Sequence, residues 1–429
     1  MTNADHARTA PPAGTRTETA AQAGTAAQQA PWTGHVHGSA GYGRVLAALA
    51  CSGVATFAQL YSVQGLLPLM SSELGVSAAQ ASLSISAATM GLAFAVLPWS
   101  FVADRFGRVR TMGLALVLAT AFGLLVPAAP TFGMLLALRA LEGAALGGVP
   151  ALAIAYLTEE ISTRHAAAAA GAYVAGTTLG GLFGRLLAGP VADLAGWRMG
   201  TLAVSACAAV AAVGFLLLAP APRGFQPAAG GGFGAMLARL RPPLRSRPLL
   251  ALYAQAFLLM GVFVSVYNYL GFRLEAPPYL FPATAVALLF LAYLAGTVSS
   301  RAVAGLAARF GRRSVLLAST AAMVAGLAVT MAAPLPLILA GLVLFTAGFF
   351  GAHSIASGWT GAIATTGRAQ ASSLYNLSYY AGSSVVGWSA GLVFQQFGWA
   401  ALAGVLALLA ALAAAAAVVL LPPGRPAGR

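Results

Sequence analysis

Charged residues are scarce in this chain of 429 residues, since Asp, Glu, Lys and Arg together make up 7% of it. Soluble domains usually carry about 25% charged residues, which cover much of their surface. The hydrophobic share of 59% also argues against a disordered chain, because disordered chains contain few large apolar residues. Both classes are excluded, and the composition indicates a membrane protein.

Lysine is missing altogether, so all 23 basic residues are arginines, and the formal net charge is +14. Such an excess can attract nucleic acid, but in a membrane protein it first reports topology. We therefore expect no nucleic-acid partner. A Walker-type phosphate loop needs its lysine, so a single-chain pump driven by ATP is excluded.

Cysteine is nearly absent, and Cys51 and Cys207 each lie within an apolar stretch. Neither a disulfide framework nor a metal site can be read from them. No His, Cys and Asp cluster has metal-ligand spacing, and no Ser, His and acid suggest a catalytic triad. We expect no cofactor, no metal and no enzymatic activity.

Apolar segments of about 20 residues, the length that crosses a bilayer as a helix, dominate the chain after Arg44. The predicted spans are 45–69, 79–101, 110–129, 133–156, 168–192, 200–219, 249–271, 282–303, 314–333, 337–358, 371–393 and 399–421. The sequence thus predicts an all-α membrane protein with twelve transmembrane helices in a lipid bilayer.

Arginines are concentrated in the loops after even-numbered spans, whereas the opposite loops contain only Arg198 and Arg273. Arginine-rich loops stay in the cytoplasm, so we expect both termini to be cytoplasmic. The predicted organisation is a disordered tail, a six-helix half, a cytoplasmic linker loop rich in Pro, Gly and Arg, a second six-helix half and a short tail. Their boundaries are 1–43, 44–219, 220–248, 249–421 and 422–429.

The two predicted halves are related by an internal repeat. Segment 104–108 recurs as 308–312, which is 204 residues later, and Gly180 recurs as Gly382, which is 202 residues later. Internal repeats of membrane helices are typical of transporters whose halves rock about a central site. The repeat therefore favours transport.

A charged motif follows the second span, where Asp104 and Arg105 precede Gly107 and Arg108. A carboxylate beside a guanidinium at a helix end can form and release ion pairs with a neighbouring helix, as a cytoplasmic gate requires. The alternative is that these residues only anchor the topology. The second copy of the motif consists of Arg309, Gly311 and Arg312.

Segment 100–110 resembles the loop motif of the major facilitator superfamily, Gly-x-x-x-Asp-Arg-x-Gly-Arg-(Arg/Lys). Ser100 replaces the first glycine, Val109 replaces the second basic residue, and Ala308 replaces the aspartate in the second copy, so the gate should depend mainly on the first copy. The resemblance implies the major facilitator fold, with two pseudo-symmetric six-helix halves. It also implies a small-molecule substrate and a monomer in the bacterial inner membrane.

Ionisable residues inside the bilayer are costly and mark functional sites. Arg139 and Glu142 are three residues apart on one face of span four. Arg139 and Gly143 resemble the fourth-helix motif of proton-coupled facilitators, in which Glu142 takes the place of a glutamine. We interpret Glu142 and Arg139 as a proton-coupling site, and a static ion pair is the alternative.

Arg185 on span five has no acid within four residues. It is expected to bind an anionic substrate such as an organic carboxylate, to pair with Asp193, or to extend to the outer interface. His353 on span ten is interpreted as a packed residue rather than a proton relay.

Polar and aromatic residues in spans one, seven and eleven predict the substrate cavity, and interhelical hydrogen bonding is the alternative role. They are Tyr61, Gln64, Tyr267, Asn268, Tyr375 and Asn376. Among them, Gln64 and Asn268 are expected to face the cavity.

Gly176, Gly189 and Pro190 on span five match part of the antiporter motif Gly-(x)8-Gly-(x)3-Gly-Pro-x-x-Gly-Gly. Arg185 takes the place of its middle glycine, and close helix packing would also explain the glycines. The sequence thus predicts a proton-coupled antiporter that exports a small organic molecule. Uptake by proton symport is the alternative, and a membrane enzyme or sensor is a more distant one.

Overall fold

The computed structural model describes residues 32–225, 233–364 and 367–423. Within these ranges the chain forms fourteen α-helices joined by short loops and 3₁₀ turns. The helices are α1 (Ala40–Leu60), α2 (Leu67–Leu74), α3 (Ala78–Phe106), α4 (Arg108–Leu125), α5 (Phe132–Leu146), α6 (Pro150–Glu160), α7 (Thr163–Leu218), α8 (Phe233–Arg245), α9 (Arg247–Glu275), α10 (Ala283–Leu288), α11 (Tyr293–Phe310), α12 (Arg312–Val329), α13 (Leu335–Ile363) and α14 (Arg368–Leu420).

Ten helical stretches of the described chain are long and apolar enough to cross a membrane. Two of them, α7 with 56 residues and α14 with 53, would each be roughly 80 Å long if straight, far more than the ~30 Å of a bilayer core. Each contains one glycine with non-helical backbone angles, Gly196 (φ 81°) and Gly398 (φ 74°). Only glycine adopts such angles without strain. Both breaks fall within loops that the sequence predicts, those after spans five and eleven.

The internal repeat is visible in the packing. Gly107 ends α3 with φ 90°, and its counterpart Gly311 ends α11 with φ 83°. A Cβ built on Gly180 would lie 2.5 Å from Val54 Cα on α1, and one on Gly382 would contact the Phe257 carbonyl oxygen on α9. Equivalent glycines therefore allow equivalent helix pairs to touch in the two halves.

The halves meet through a second pair of equivalent glycine contacts. A Cβ on Gly189 would lie 2.8 Å from the carbonyl oxygen of Ala283, and one on Gly391 would lie 2.7 Å from Ala79 Cα. Ala79 and Ala283 lie at the starts of the helical stretches that end before Gly107 and Gly311. We call the side with Gly107 and Gly311 the motif face, and the side with the two alanine contacts the closed face.

Two predicted boundaries need correction. Residues 1–31 of the predicted tail lie outside the described residues, but His35 N–H donates to the Glu160 carbonyl oxygen (2.7 Å), and α1 begins at Ala40. The boundary at residue 43 is therefore too late, because the Ser39 hydroxyl caps α1 before the apolar run starts. The linker 220–248 is not a loop throughout, since it contains α8, and residues 226–232 lie outside the described part.

Candidate functional site

A cavity of about 500 Å³ lies among helices of both halves. It extends from Tyr61 and Arg185 in the interior to Gly171, Ser357 and Arg301 nearer the motif face. Aromatic rings form much of the wall, namely Phe57, Tyr61, Phe263, Tyr293, Phe349, Phe350, Tyr379 and Tyr380. Its size and apolar character suit a small organic ligand.

Arg185 is 3% exposed, and its guanidinium is held in one position. Nε and Nη2 both donate to Gln64 Oε1 (3.0 and 2.8 Å), and Nη1 donates to the Gly181 carbonyl oxygen (2.8 Å). The guanidinium carbon lies 4.6 Å from the Tyr61 ring centre and 4.7 Å from that of Phe290, distances typical of cation–π contacts. This burial is contrary to the expectation that Arg185 reaches the outer interface.

Asp193, the other predicted partner of Arg185, is engaged elsewhere. Its carboxylate accepts from the backbone N–H groups of Ala283 (2.9 Å) and Thr284 (2.8 Å), across the contact between the halves. The pairing of Arg185 with Asp193 is therefore wrong, because two backbone donors at the start of α10 satisfy the carboxylate instead.

Gln64 joins Arg185 to the other half of the protein. Its Nε2 donates to Asn268 Oδ1 (2.8 Å), and both side chains are buried. Asn268 follows Gln64 by 204 residues, the same offset as the loop motif, so two equivalent positions of the repeat bond to each other. The Asn268 Nδ2 group has no partner within the described residues.

The expectation that Gln64 and Asn268 face the cavity is wrong, because neither is among the residues that line it. Their polar groups instead bond to Arg185 and to each other within the core.

Three other predicted cavity residues also lie outside the wall of the main cavity. Tyr267 is buried outside the cavity wall, where its hydroxyl bonds to Thr346 (2.7 Å). Tyr375 is buried against His353 Nδ1 (3.0 Å), and His353 itself reaches the cavity. Asn376 is exposed and lines a separate, smaller pocket. The prediction that Tyr267, Tyr375 and Asn376 line the main cavity is wrong, because helix spacing alone does not show which polar groups find partners within the core.

Arg139 and Glu142 form a fully buried ion pair, with Nη1 2.7 Å from Glu142 Oε2. Arg139 also donates to three backbone carbonyl oxygens: Ser84 (3.1 Å), Gln59 (3.1 Å) and Leu60 (2.6 Å). The last two carbonyls lie at the end of α1, where the helix stops and its carbonyls lose their intrahelical partners. Arg139 thus supplies a donor to both oxygens, and the Gln59 carbonyl oxygen also accepts from the Ser62 N–H (3.2 Å).

Gln59 contributes an oxygen without a partner beside this pair. Its Nε2 donates to the Ala55 carbonyl oxygen (3.0 Å), which leaves the buried Oε1 without a donor. A Cβ built on Gly123 would contact Gln59 Oε1 and would lie 3.0 Å from Glu142 Oε1 and 3.2 Å from Ser205 Oγ. The second carboxylate oxygen of Glu142 and the unpartnered Gln59 oxygen therefore face the same small space.

At the motif face, Arg108 joins two acids on different helices. Its Nη1 lies 2.6 Å from Asp104 on α3, and its Nε lies 3.1 Å from Glu159 on α6. The sequence interpretation missed Glu159, although two adjacent acids at the arginine-rich end of span four were a signal for it. Arg108 on α4 therefore makes the pairings across helices, with Asp104 and with Glu159, and Arg105 makes no ion pair within 4.0 Å among the described residues.

A family model described as Major Facilitator Superfamily matches residues 49–301. The chain is also 40% identical to the inner membrane transport protein YnfM of Escherichia coli (strain K12), over 85% of this chain and 88% of that protein. The chain belongs to the major facilitator superfamily. It is therefore a membrane transporter rather than an enzyme, and members of this family carry small molecules.

Other relatives of this facilitator agree on family and fold. It is 35% identical to the uncharacterized MFS-type transporter YybF of Bacillus subtilis (strain 168), over 85% of this chain and 90% of that one. Among solved structures, it is similar to a mutant of the nucleoside transporter NupG (TM-score 0.73, 14% identity, 88% of this chain and 100% of that one). It is also similar to a D-xylose-proton symporter (TM-score 0.69, 16% identity, 89% and 97%). At such low identity these structures show the shared fold alone.

The facilitator motifs of this chain are unequal in their contacts. In the second copy of the loop motif, Arg309 lies over the neighbouring Phe310 ring, and Arg312 is exposed. The described side chains offer neither of them an ion pair within 4.0 Å. In the helix-five motif, Gly176 makes an ordinary contact with Ala50 (3.7 Å to Cα), whereas Gly189 precedes Pro190 and makes the tight contact between the halves.

Proposed function

We propose that this facilitator is a proton-coupled antiporter that exports a small organic molecule across the bacterial inner membrane by alternating access. The observation that carries this proposal is the buried carboxyl group of Glu142 beside an acceptor that lacks a donor. A protonated Glu142 would donate to Gln59 Oε1, a buried oxygen that has no partner among the described residues.

Arg139 supports a change of protonation at Glu142. Removing one partner of a buried ion pair is normally costly, because the other charge is left without compensation. Here three backbone carbonyl oxygens hold the guanidinium in addition to Glu142. Glu142 can therefore accept a proton while Arg139 keeps most of its hydrogen bonds, which a purely structural ion pair would not require.

The end of α1 connects the proton site to the cavity. Arg139 binds the Leu60 carbonyl oxygen, and the next residue, Tyr61, places its ring beneath Arg185 in the cavity wall. A change in how strongly Arg139 holds this helix end moves Tyr61 directly. Substrate at Arg185 and a proton at Glu142 are thus coupled through three consecutive backbone positions.

The arginine distribution assigns the motif face to the cytoplasm. In that orientation the cavity extends towards the cytoplasm, and the contacts of Gly189 and Gly391 close the outer side. The match of Gly176, Gly189 and Pro190 to the antiporter motif supports exchange over symport. The substrate would then leave while protons enter.

The test is Glu142→Gln in proteoliposomes, with Glu73→Gln, an exposed acid on α2, as the control. A panel of labelled organic compounds is assayed in both directions with an imposed pH gradient. We expect Glu142→Gln to abolish gradient-driven movement and to retain counterflow of the same compound, because counterflow needs no net proton transfer. Normal gradient-driven transport by the variant would refute the role of Glu142, and accumulation on the side to which protons move would indicate symport.

A further inference from the structure

We infer that the substrate of this cavity is an organic anion with an aromatic body, whose carboxylate binds Arg185. The inference rests on the proposed function only in that this cavity carries the substrate. It names a chemical class, and it is independent of the direction of transport and of proton coupling.

The charges of the cavity wall are all positive. Arg185 and Arg301 line the cavity, and among the described residues that form the wall there is no Asp or Glu. Asp193, the acid nearest to Arg185 along the chain, bonds to α10, and the buried Glu142 is paired with Arg139. A wall with two guanidinium groups and no described carboxylate attracts anions and repels cations.

Arg185 has hydrogen-bonding capacity left for a ligand. A guanidinium has five N–H groups, and three of those on Arg185 are used by Gln64 and Gly181. One N–H remains on each terminal nitrogen, and no acid among the described residues lies within ion-pair distance. A carboxylate has two oxygens that can accept from these two groups. A buried arginine is costly without an anion, and a bound carboxylate would supply it.

The aromatic rings of the cavity wall favour a ligand with a flat, apolar body. Phe263, Phe349 and Tyr293 lie on the second-half side of the cavity, and the Phe263 and Phe349 ring centres are 3.9 Å apart in a stacked arrangement. Tyr61, Tyr379 and Tyr380 add rings with polar edges. Such a surface binds flat apolar groups through area burial and ring stacking. An inorganic anion would bury no apolar area against these rings.

Arg301 places a second positive charge at the cavity entrance. It is exposed on α11, nearer the motif face than Arg185. An exposed cation at the entrance of a low-dielectric cavity raises the local concentration of anions and their rate of entry. Arg301 therefore acts in capture and Arg185 in binding, so salt should weaken the role of Arg301 more than that of Arg185.

The experiment measures binding to the purified full-length protein in nanodiscs of zwitterionic phosphatidylcholine, without any gradient. Three probes share the naphthalene ring and differ in charge, namely 2-naphthoate, 2-naphthamide and 2-naphthylmethylammonium. The fourth, inorganic phosphate, is an anion without the ring. We expect naphthoate to bind about tenfold or more tightly than naphthamide, which corresponds to one charge-assisted hydrogen-bonded pair. The ammonium probe should bind more weakly than the amide, and phosphate should fail to displace naphthoate.

Two variants localise the effect. Arg185→Gln should bind naphthoate and naphthamide equally, whereas the control Arg198→Gln should keep the preference. Arg198 also lies in α7, beyond the break at Gly196, and donates to the Pro127 carbonyl oxygen (2.7 Å), and it is not among the cavity-lining residues. If Arg185→Gln fails to fold, the order of the four probes on the unchanged protein remains decisive.

The outcomes separate this inference from the proposed function. Equal or tighter binding of the amide or ammonium probe, displacement by phosphate, or an unchanged preference in Arg185→Gln would overturn the anion site. Naphthoate that binds through Arg185 but is moved without response to a pH gradient would refute proton coupling and leave the anion site intact. Gradient-driven transport of the ammonium probe alone would refute the anion site and leave proton coupling intact.

Discussion

Gly189 should control which face of the transporter is closed. A Cβ at this position would lie 2.7 Å from Ala287 Cβ and 2.8 Å from the Ala283 carbonyl oxygen, both in the other half. Ordinary carbon contacts begin near about 3.5 Å, so Gly189→Ala forces the halves apart by several tenths of an ångström where they meet. The substitution therefore raises the free energy of the conformation in which the two halves touch at the closed face.

The size of this penalty follows from overpacking in well-packed interiors, which costs about 1–3 kcal/mol. A free-energy difference of that size changes the ratio of the populations of two conformations about 5- to 150-fold. If the two conformations start near equal population, a tenfold change leaves roughly a tenth of the molecules with the cavity open to the motif face.

The assay is the reaction of Ser357→Cys, in the cavity wall on α13, with an impermeant maleimide added at the motif face of a protein without other cysteines. We expect Gly189→Ala to slow the reaction about fivefold. The control is Gly200→Ala, whose Cβ would lie 2.7 Å from the Ala188 carbonyl oxygen within the same half. Its cost falls on both conformations, so the rate should stay the same. An unchanged rate in Gly189→Ala, or equal slowing in both variants, would refute the reasoning.

Three further outcomes are expected. Asp193→Asn removes a carboxylate from the backbone donors of α10 and should weaken the closed face by about 1 kcal/mol, giving slower maleimide labelling in the same assay. Asp104→Asn should slow transport in proteoliposomes more than Arg312→Gln does, because Arg312 makes no described ion pair. Equal slowing would indicate that the motif only anchors the topology. A cysteine at Ala221, exposed in the linker, should react with impermeant reagent only from the cytoplasmic side of oriented vesicles, and labelling from outside would overturn the orientation.

The helices and the repeat were accessible to sequence reasoning because apolar length and glycine spacing are local properties. The breaks in α7 and α14 fall within the predicted loops after spans five and eleven, at Gly196 and Gly398. The ion pair of Arg139 and Glu142 was also readable, since three residues along a helix bring side chains onto one face.

Partners across helices were not accessible in the same way. Glu159 reaches Arg108 only because α6 and α4 pack together, and the spacing of 51 residues says nothing about it. Tyr267 was expected in the cavity because it is a polar, aromatic residue inside span seven, but a position within a span does not show which way the side chain faces. Its hydroxyl instead meets Thr346, a partner that only the folded helix pair defines.

The repeat explains why Gln64 and Asn268 can couple the two halves. Equivalent positions of two related halves meet only near the axis that relates them, and a hydrogen bond there is shared by both halves. Gln64 also accepts two hydrogen bonds from Arg185, so one buried network links the arginine of the cavity wall to both halves. We expect a carboxylate on the two remaining N–H groups of Arg185 to compete with Gln64 for the guanidinium charge and so to weaken the contact of Gln64 with Asn268. Such a weakening would be the differential interaction that alternating access requires.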